Sequence, residues 1–218
     1  MEQERKVHVL SFGGGVNSTA LLFLIKEKNM PLEEIIFADT GNELPETYEI
    51  IERIKPTIVK SELAKDLFEY CWNKKILPSR MRRDCTSKFK VSPIRKYLRN
   101  KYGKDAKFVT YIGIALEEAH RMRTSDVKYI ENSYPLVDNK IDRQGCIEIL
   151  KRNGFDNVIK SGCFFCPFTK KAGWIDLKVK HPELMRKAVA LEKNCKNPKV
   201  TLGIRGEPTC NIFASCWL

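Results

Sequence analysis

Val7-His-Val-Leu-Ser-Phe-Gly-Gly-Gly-Val-Asn-Ser-Thr19 joins three features that together indicate the architecture of this chain. The first six residues are mainly apolar, which is typical of a buried strand. Three glycines follow, and a helix is predicted over residues 17–28 because apolar side chains recur there at helical spacing. Glycines between a strand and a helix let the backbone approach an anion, which the helix N-terminus attracts. The stretch therefore predicts a strand, a phosphate-binding loop and a helix, with an ordinary tight turn as the alternative.

The same alternation of strands and helices continues along the chain. Apolar runs predict further strands over residues 34–39, 57–60 and 107–113. Helices are predicted over residues 45–54, 115–123, 142–153, 171–179 and 182–193, with a mainly helical region over 62–104. This order implies a parallel sheet with right-handed crossovers. We expect an α/β, Rossmann-like fold in which helices flank a parallel sheet. The expected organisation is a single domain over residues 1–218, whose part from 155 to 218 forms a cysteine-bearing C-terminal helical cap.

Composition narrows the class of protein. The chain has 218 residues, 43% of them hydrophobic, which is enough for one substantial core. It has no run of 18 apolar residues, and its first residues lack the apolar segment of a signal peptide, so we expect a cytoplasmic protein without a membrane partner. Lys and Arg number 39 against 27 Asp and Glu, a net charge of +12 that predicts a polyanionic partner such as nucleic acid. A solvated basic surface, or a pocket for a phosphorylated small molecule, is the alternative.

Eight cysteines in a cytoplasmic chain favour metal ligation over a disulfide framework. Cys163 and Cys166 stand in Gly-Cys-Phe-Phe-Cys-Pro, a turn whose two thiolates can reach one ion. Cys85 and Cys146 are distant in sequence and would complete a set of four ligands only if the fold brings them to this turn. Cys146 can alternatively be interpreted as a buried small residue. Four thiolates suit a [4Fe–4S] cluster or Zn²⁺. The other cysteines lack such spacing and are interpreted as structural, with a reactive thiol near the C-terminus left open: Cys71, Cys195, Cys210 and Cys216.

Three segments carry a resemblance to a known family. Ser11–Thr19 resembles the pyrophosphate-binding loop of the PP-loop ATP pyrophosphatases, in the form found in the phosphoadenosine phosphosulfate (PAPS) reductase-like branch. Phe37-Ala-Asp-Thr-Gly-Asn-Glu-Leu-Pro-Glu-Thr-Tyr48 resembles that branch's Asp-Thr-Gly and Pro-Glu-Thr motif. Cys85-Thr-Ser-Lys-Phe-Lys-Val-Ser-Pro-Ile94 resembles its Cys-Cys-x-x-Arg-Lys-Val-x-Pro-Leu segment. With Gly113–Arg121, the resemblance covers residues 6–170 and implies an adenine nucleotide alpha-hydrolase-like fold.

The resemblance also implies ligands and site residues. ATP with Mg²⁺ is the expected ligand of the loop and of the Asp-Thr-Gly motif. The expected nucleotide-binding residues are Ser11, Gly13, Gly14, Gly15, Asn17, Ser18, Thr19, Asp39, Thr40 and Gly41. The expected catalytic cations, placed near the phosphates, are Lys88, Lys90 and Arg121. The resemblance favours a [4Fe–4S] cluster over Zn²⁺ at Cys85, Cys146, Cys163 and Cys166.

The chain departs from the family pattern at several positions. Val16 and Asn17 stand where the family often has Lys and Asp, so one cationic contact to the phosphates is missing or comes from elsewhere. Thr86 replaces the second cysteine of the Cys-Cys pair, and Cys146 is the expected substitute ligand. Ala115 replaces an arginine of the reductases, and their C-terminal Glu-Cys-Gly motif is absent. These differences argue against ordinary sulfonate reduction.

The sequence therefore favours an ATP-using enzyme that adenylates its substrate, releases pyrophosphate and transfers sulfur to a nucleic acid, either tRNA or DNA. A sulfur carrier is one candidate donor, and a homodimer is one candidate assembly. A PAPS or adenylyl-sulfate reductase with a diverged tail, using Cys210 or Cys216 as nucleophile, is the first alternative. A non-catalytic nucleotide-binding module is the second.

Overall fold

The structure is a computed structural model that describes residues 6–81, 83–197 and 199–204. Its strands are β1 (Lys6–Phe12), β2 (Glu34–Asp39), β3 (Thr57–Lys60), β4 (Lys107–Ile112) and β5 (Ile130–Ser133). Its α-helices are α1 (Val16–Glu27), α2 (Pro45–Ile54), α3 (Leu67–Lys74), α4 (Asp84–Thr86), α5 (Ser92–Tyr102), α6 (Pro135–Asp138), α7 (Arg143–Arg152), α8 (Lys171–Lys180) and α9 (Pro182–Asn194). A π-helix, Ser87–Val91, precedes α5, and a 3-10 helix spans Leu116–Arg121.

The sheet places the glycine loop where the strand order reverses. Its order is β3-β2-β1-β4-β5, and β1 pairs in parallel with β2 on one side and with β4 on the other. Val9 lies opposite Glu34, and Leu10 lies opposite Tyr111. The chain therefore leaves β1 toward one edge of the sheet and returns to its other side. Ligands of open α/β sheets bind beyond the carboxyl ends of the strands at such a switch point.

The described residues divide into two compact units. The first unit comprises the described part of residues 1–39, together with 44–59 and 93–162. Helices α1 and α7 pack against one another in its apolar core, where Leu10, Leu21 and Leu136 are fully buried. This unit contains the glycine loop, because both β1 and α1 belong to it.

The second unit comprises residues 40–43 and 60–92 and the described part of 163–218. Its helix α3 ends against the segment after α9, where Lys196 N–H donates to Lys75 O at 3.0 Å. Phe68 on α3 contacts the rings of Phe164 and Phe165. The aromatic contacts hold the Cys-x-x-Cys turn against α3.

The predicted α/β fold with a parallel sheet is confirmed, and β2, α2 and β3 have the predicted bounds. The C-terminal helical cap with a cysteine cluster is not confirmed, and the single-domain organisation stays a prediction. Two elements were not predicted, β5 and the short helix α6. Within the described ranges, no helix is both long enough and apolar enough to cross a membrane.

Candidate functional site

The glycine loop connects the end of β1 at Phe12 to the start of α1 at Val16. Gly15 is the N-cap residue of α1, and no side chain caps this helix end. Hydroxyl groups brace the loop from inside: Gly13 N–H donates to Ser18 Oγ at 3.2 Å, and Thr19 Oγ1 donates to Gly15 O at 2.9 Å. A helix N-terminus without a capping side chain leaves amide donors for an anion.

Two of the three glycines are required by their surroundings. Gly14 has φ +68°, and a methyl group there would lie 2.8 Å from Thr47 Cγ2. A methyl group on Gly15 would lie 2.5 Å from Ser161 Oγ and 2.9 Å from Ser161 N. At these two positions the loop therefore presents backbone and no side chain of its own, as a phosphate cradle requires. Ser161 was not predicted, because nothing in its local sequence marks it.

Polar groups of the Asp-Thr-Gly and Pro-Glu-Thr motif lie beside the loop within the first unit. Asp39 ends β2, is 8% exposed and accepts a 2.8 Å hydrogen bond from Tyr48 OH. Thr47, near the start of α2, has a fully buried hydroxyl that forms no hydrogen bond within the described part of the chain. A buried hydroxyl without a partner costs free energy unless a ligand or water supplies one. This observation is consistent with a ligand at the motif.

A hydrogen-bond network extends from Asn17 in the first turn of α1. Asn17 Nδ2 donates to Glu118 Oε2 at 2.9 Å, and Asn17 Oδ1 accepts from Arg143 Nη1 at 3.0 Å. Glu118 also forms an ion pair with Arg121. Arg121 is therefore linked to the glycine loop through Glu118 and Asn17. Arg143 bonds directly to Asn17 and was not among the predicted site residues.

The continuation of the Asp-Thr-Gly motif lies in the second unit. Thr40 O accepts a hydrogen bond from Leu67 N at 3.0 Å, and Asn42 Oδ1 accepts from Phe68 N at 2.7 Å. Gly41 has φ +73°, and a methyl group there would lie 2.6 Å from Asp66 Cβ. These contacts fix residues 40–43 against the start of α3.

The Cys-x-x-Cys turn is closed by a 3.0 Å hydrogen bond from Cys166 N to Cys163 O. The hydrogen bond between the two thiols lowers the pKa of Cys166 to about 6 and raises the pKa of Cys163. The backbone N–H of Phe168 and the charge of Lys90 also lower the pKa of Cys166. Burial opposes ionisation at both sulfur atoms. One thiolate is therefore available near neutral pH, as ligation requires.

Glu43 lies opposite Cys163 in an isolated antiparallel bridge. The Glu43 side chain is fully buried, and its Oε1 accepts a 3.0 Å hydrogen bond from Lys90 Nζ. Burial opposes the charged form of Lys90, but Glu43, with help from the two cysteines, outweighs it and raises the pKa of Lys90. Glu43 Oε2 is buried and has no hydrogen-bond partner among the residues described. The turn thus combines two sulfur donors with an unsatisfied carboxylate oxygen.

The four predicted cysteine ligands are divided between the units. Cys85 on α4, Cys163 and Cys166 belong to the second unit, whereas Cys146 on α7 belongs to the first. Cys146 is fully buried in the apolar core, and burial raises its pKa to about 12. Across residues 6–81, 83–197 and 199–204, no group of three or more His, Cys, Asp or Glu side chains is arranged to hold a metal ion. The four-cysteine set stays a prediction.

The predicted catalytic cations belong to both units. Lys88 Nζ donates to Tyr70 OH at 3.1 Å, and Lys90 pairs with Glu43, both within the second unit. Arg121, in the first unit, pairs with Glu118. Their roles at the phosphates stay predictions. Cys210 and Cys216 lie outside the described residues.

Residues 7–137 match the family model described as phosphoadenosine phosphosulfate reductase domain. The uncharacterized nin region protein ORF290 of Escherichia phage lambda is 24% identical over 195 residues, which covers 73% of this chain and 65% of that protein. The uncharacterized protein MJ0973 of Methanocaldococcus jannaschii is 28% identical over 204 residues, which covers 84% of this chain and 47% of that protein. The chain thus spans less than two thirds of either curated relative.

The chain is also similar to solved structures. Among them is the U34-tRNA thiolase NcsA from Methanococcus maripaludis with its [4Fe–4S] cluster, at 14% sequence identity and a TM-score of 0.41. The match covers 88% of this chain and 72% of that chain.

Proposed function

Because this chain belongs to the phosphoadenosine phosphosulfate reductase domain family, we propose that it binds ATP at the glycine loop and transfers the adenylyl group to a substrate. The main support for this proposal is the glycine loop at the switch point of the sheet, where the surroundings of Gly14 and Gly15 leave no space for a side chain. Such a loop suits a polyphosphate, because successive amide groups and a helix N-terminus act on one anion.

The chemistry is a displacement at the α-phosphorus of ATP. An oxygen atom of the substrate attacks this phosphorus, the bond to the bridging oxygen breaks, and pyrophosphate leaves with Mg²⁺. The loop amides of residues 13–19 hold the departing phosphates, and Asp39 provides a carboxylate for the metal ion or the ribose. Positioning and charge stabilisation supply most of the rate in phosphoryl-type transfers. The product is an adenylated substrate that a sulfur nucleophile can attack.

Cys163 and Cys166 give the second unit two thiolates, and we infer that an iron–sulfur cluster binds there. Cys85 of the same unit would be a third ligand, and the residue opposite Cys163, Glu43, has a buried carboxylate oxygen without a hydrogen-bond partner among the described residues. Phe164 and Phe165, both buried, would keep water away from it. When bound, the cluster would supply an iron that can carry sulfur for transfer. We leave Cys146 out of this set because it lies in the apolar core of the first unit, and Zn²⁺ on the same thiolates is the alternative metal.

Nucleic acid is the substrate class that the charge of the chain favours. The net charge is +12, and neutralisation of phosphates by Lys and Arg dominates nucleic-acid affinity. Sulfur transfer to a base of tRNA or DNA is the outcome that we propose. A sulfur carrier would serve as donor.

The decisive experiment measures pyrophosphate release from ATP by anaerobically purified protein, with tRNA, DNA or no nucleic acid. We expect release that depends on nucleic acid, and sulfur in the recovered nucleic acid by mass spectrometry. Gly15→Ala is the matched inactive variant, because its methyl group would collide with Ser161. Absence of release with every nucleic acid tested would reject adenylation.

The family itself favours a second candidate, reduction of adenylyl sulfate or PAPS. This reaction would need a nucleophilic thiol from the chain, for which Cys210 and Cys216 are the candidates. Sulfite release with thioredoxin as reductant, lost in Cys210→Ser or Cys216→Ser, would establish it. Thr86 and Ala115, which stand where the reductases have Cys and Arg, argue against this second candidate.

A further inference from the structure

We propose that Arg143 supplies the cationic phosphate contact that this chain's glycine loop lacks, so that Arg143 recognises the polyphosphate of the nucleotide. The proposal rests on the proposed function, in which the loop binds ATP. Val16 and Asn17 stand in the loop where the related enzymes often carry Lys and Asp. Val16 is 3% exposed and packs in the apolar core, so it offers no charge to a ligand.

The position of Arg143 is fixed by its backbone. Arg143 is the first residue of α7, whose N-cap Asp142 accepts a 2.8 Å hydrogen bond from Gly145 N. Arg143 N–H donates to Glu117 Oε2 at 3.1 Å. Because α7 packs on α1 within the same unit, the start of α7 is held beside the first turn of α1.

The guanidinium of Arg143 reaches the loop and bonds there to a neutral group. Arg143 Nη1 donates to Asn17 Oδ1 at 3.0 Å, and Asn17 follows the N-cap residue Gly15 by two positions. The bond is to a neutral amide, and no ion pair of the Arg143 side chain occurs among the residues that the structure describes. Arg121 differs, because Glu118 pairs with it. Arg143 thus brings to the loop a guanidinium that bonds to an amide, while the carboxylates of Glu117 and Asp142 lie beside its backbone.

The hydrogen bond from Arg143 gives a physical reason for an amide rather than a carboxylate at position 17. An Asp at position 17 would form an ion pair with Arg143 and cancel its charge. Asn17 orients the guanidinium with one hydrogen bond and leaves its other donors for phosphate oxygens. A lysine at position 16 is then unnecessary. The ligand expected is a nucleotide di- or triphosphate, since a monophosphate offers fewer oxygens to bind.

The test is a comparison of ATP and AMP affinities by isothermal titration calorimetry on the full chain. Arg143→Gln is expected to weaken ATP binding about tenfold to a hundredfold, the worth of one hydrogen bond to a charged group. AMP binding is expected to change by less than about threefold. Arg143→Lys is expected to retain part of the ATP affinity. Arg152→Ala is the matched control: Arg152 lies on the same helix and pairs with Glu27, and its loss should leave both affinities unchanged.

A further variant separates charge from structure. Asn17→Asp can still accept the hydrogen bond from Arg143, but it places a negative charge beside the guanidinium, so ATP binding should weaken. The thermal unfolding midpoint of each variant shows whether it is folded.

The outcomes distinguish this proposal from the proposed function. Equal weakening of ATP and AMP by Arg143→Gln would mean that Arg143 only positions Asn17, and would overturn the proposal. Unchanged ATP affinity in Arg143→Gln, with tight binding by the wild type, would overturn it while leaving the proposed function intact. No ATP binding by the wild-type protein would overturn both.

Discussion

The buried carboxylate of Glu43 accepts a 3.0 Å hydrogen bond from Lys90, directly opposite the first cysteine of the Cys-x-x-Cys turn. The two side chains differ in exposure: the Glu43 side chain is 0% exposed, whereas the Lys90 side chain is 39% exposed, even though its surroundings oppose its charge. A charge that can reach water survives the loss of its partner better than one that cannot. The pair should therefore respond unequally to removal of either member.

Lys90→Met should destabilise the protein far more than Glu43→Gln. Removal of Lys90 leaves an uncompensated carboxylate in the interior, at a cost of about 3–5 kcal/mol. Removal of the Glu43 charge leaves a partly exposed ammonium group, and the cost should be about 1 kcal/mol. Urea unfolding of both variants measures the difference. Equal losses would show that the pair is not buried as described.

Glu34 should make the stability of the first unit sensitive to acid. Burial alone would raise its pKa, but hydrogen bonds from Lys101, Tyr102 and Thr57 outweigh it and lower the pKa below 4.5. A carboxyl group whose pKa is lower in the folded state stabilises the fold above its unfolded pKa. This contribution is lost as the pH falls through the folded pKa.

Glu34→Gln should therefore reduce stability at neutral pH and flatten the loss of stability below about pH 5. The measurement is the free energy of unfolding by urea at several pH values. Glu131→Gln is the control, because Glu131 forms an exposed ion pair with Lys6 and should contribute little. An acid response in Glu34→Gln as steep as in the wild type would contradict the assignment.

Gly14 and Gly154 allow the role of the loop to be separated from backbone strain. Both have positive φ, +68° and +73°, but only Gly14 has a close neighbour, Thr47. Alanine at either position should lower the free energy of unfolding by about 1 kcal/mol, because alanine is strained in the left-handed conformation. Only Gly14→Ala should also abolish ATP binding, because the methyl group displaces Thr47 and widens the loop. Calorimetric titration with ATP gives the answer, and normal binding by Gly14→Ala would exclude this loop as the nucleotide site.

Much of the fold could be predicted because its elements carry strong local signals. The apolar run Glu34–Asp39 and the Pro at the start of Pro45–Ile54 mark their elements. Strand β5 has the sequence Ile-Glu-Asn-Ser and lies at the edge of the sheet, beside β4. A short polar strand has no periodicity that distinguishes it from a loop, so only tertiary pairing reveals it.

The candidate site was predictable only where it is local in sequence. The glycine loop is one continuous segment, and its residues could be named from the chain. Ser161 and Arg143 approach it from distant positions without a motif of their own. Cys146 was grouped with the other cysteines as the substitute for the family cysteine that Thr86 replaces, with a buried small residue as the alternative. Its spacing to Ile149 and Leu150, both buried on the same helix, was the signal that it belongs to an apolar face.

The position of Cys146 leads to a test of the metal site by substitution of single cysteines. Cys146→Ala should leave the metal content of anaerobically purified protein unchanged, since its thiol is enclosed by apolar side chains of the first unit. It should lower stability by no more than about 1 kcal/mol, because alanine is only slightly smaller. Cys163→Ala and Cys166→Ala should each lose most of the bound metal, because the turn provides two of the ligands. Metal analysis together with the absorption spectrum measures both effects. Loss of metal in Cys146→Ala, with the unfolding free energy preserved, would return Cys146 to the ligand set and require a different arrangement of the site.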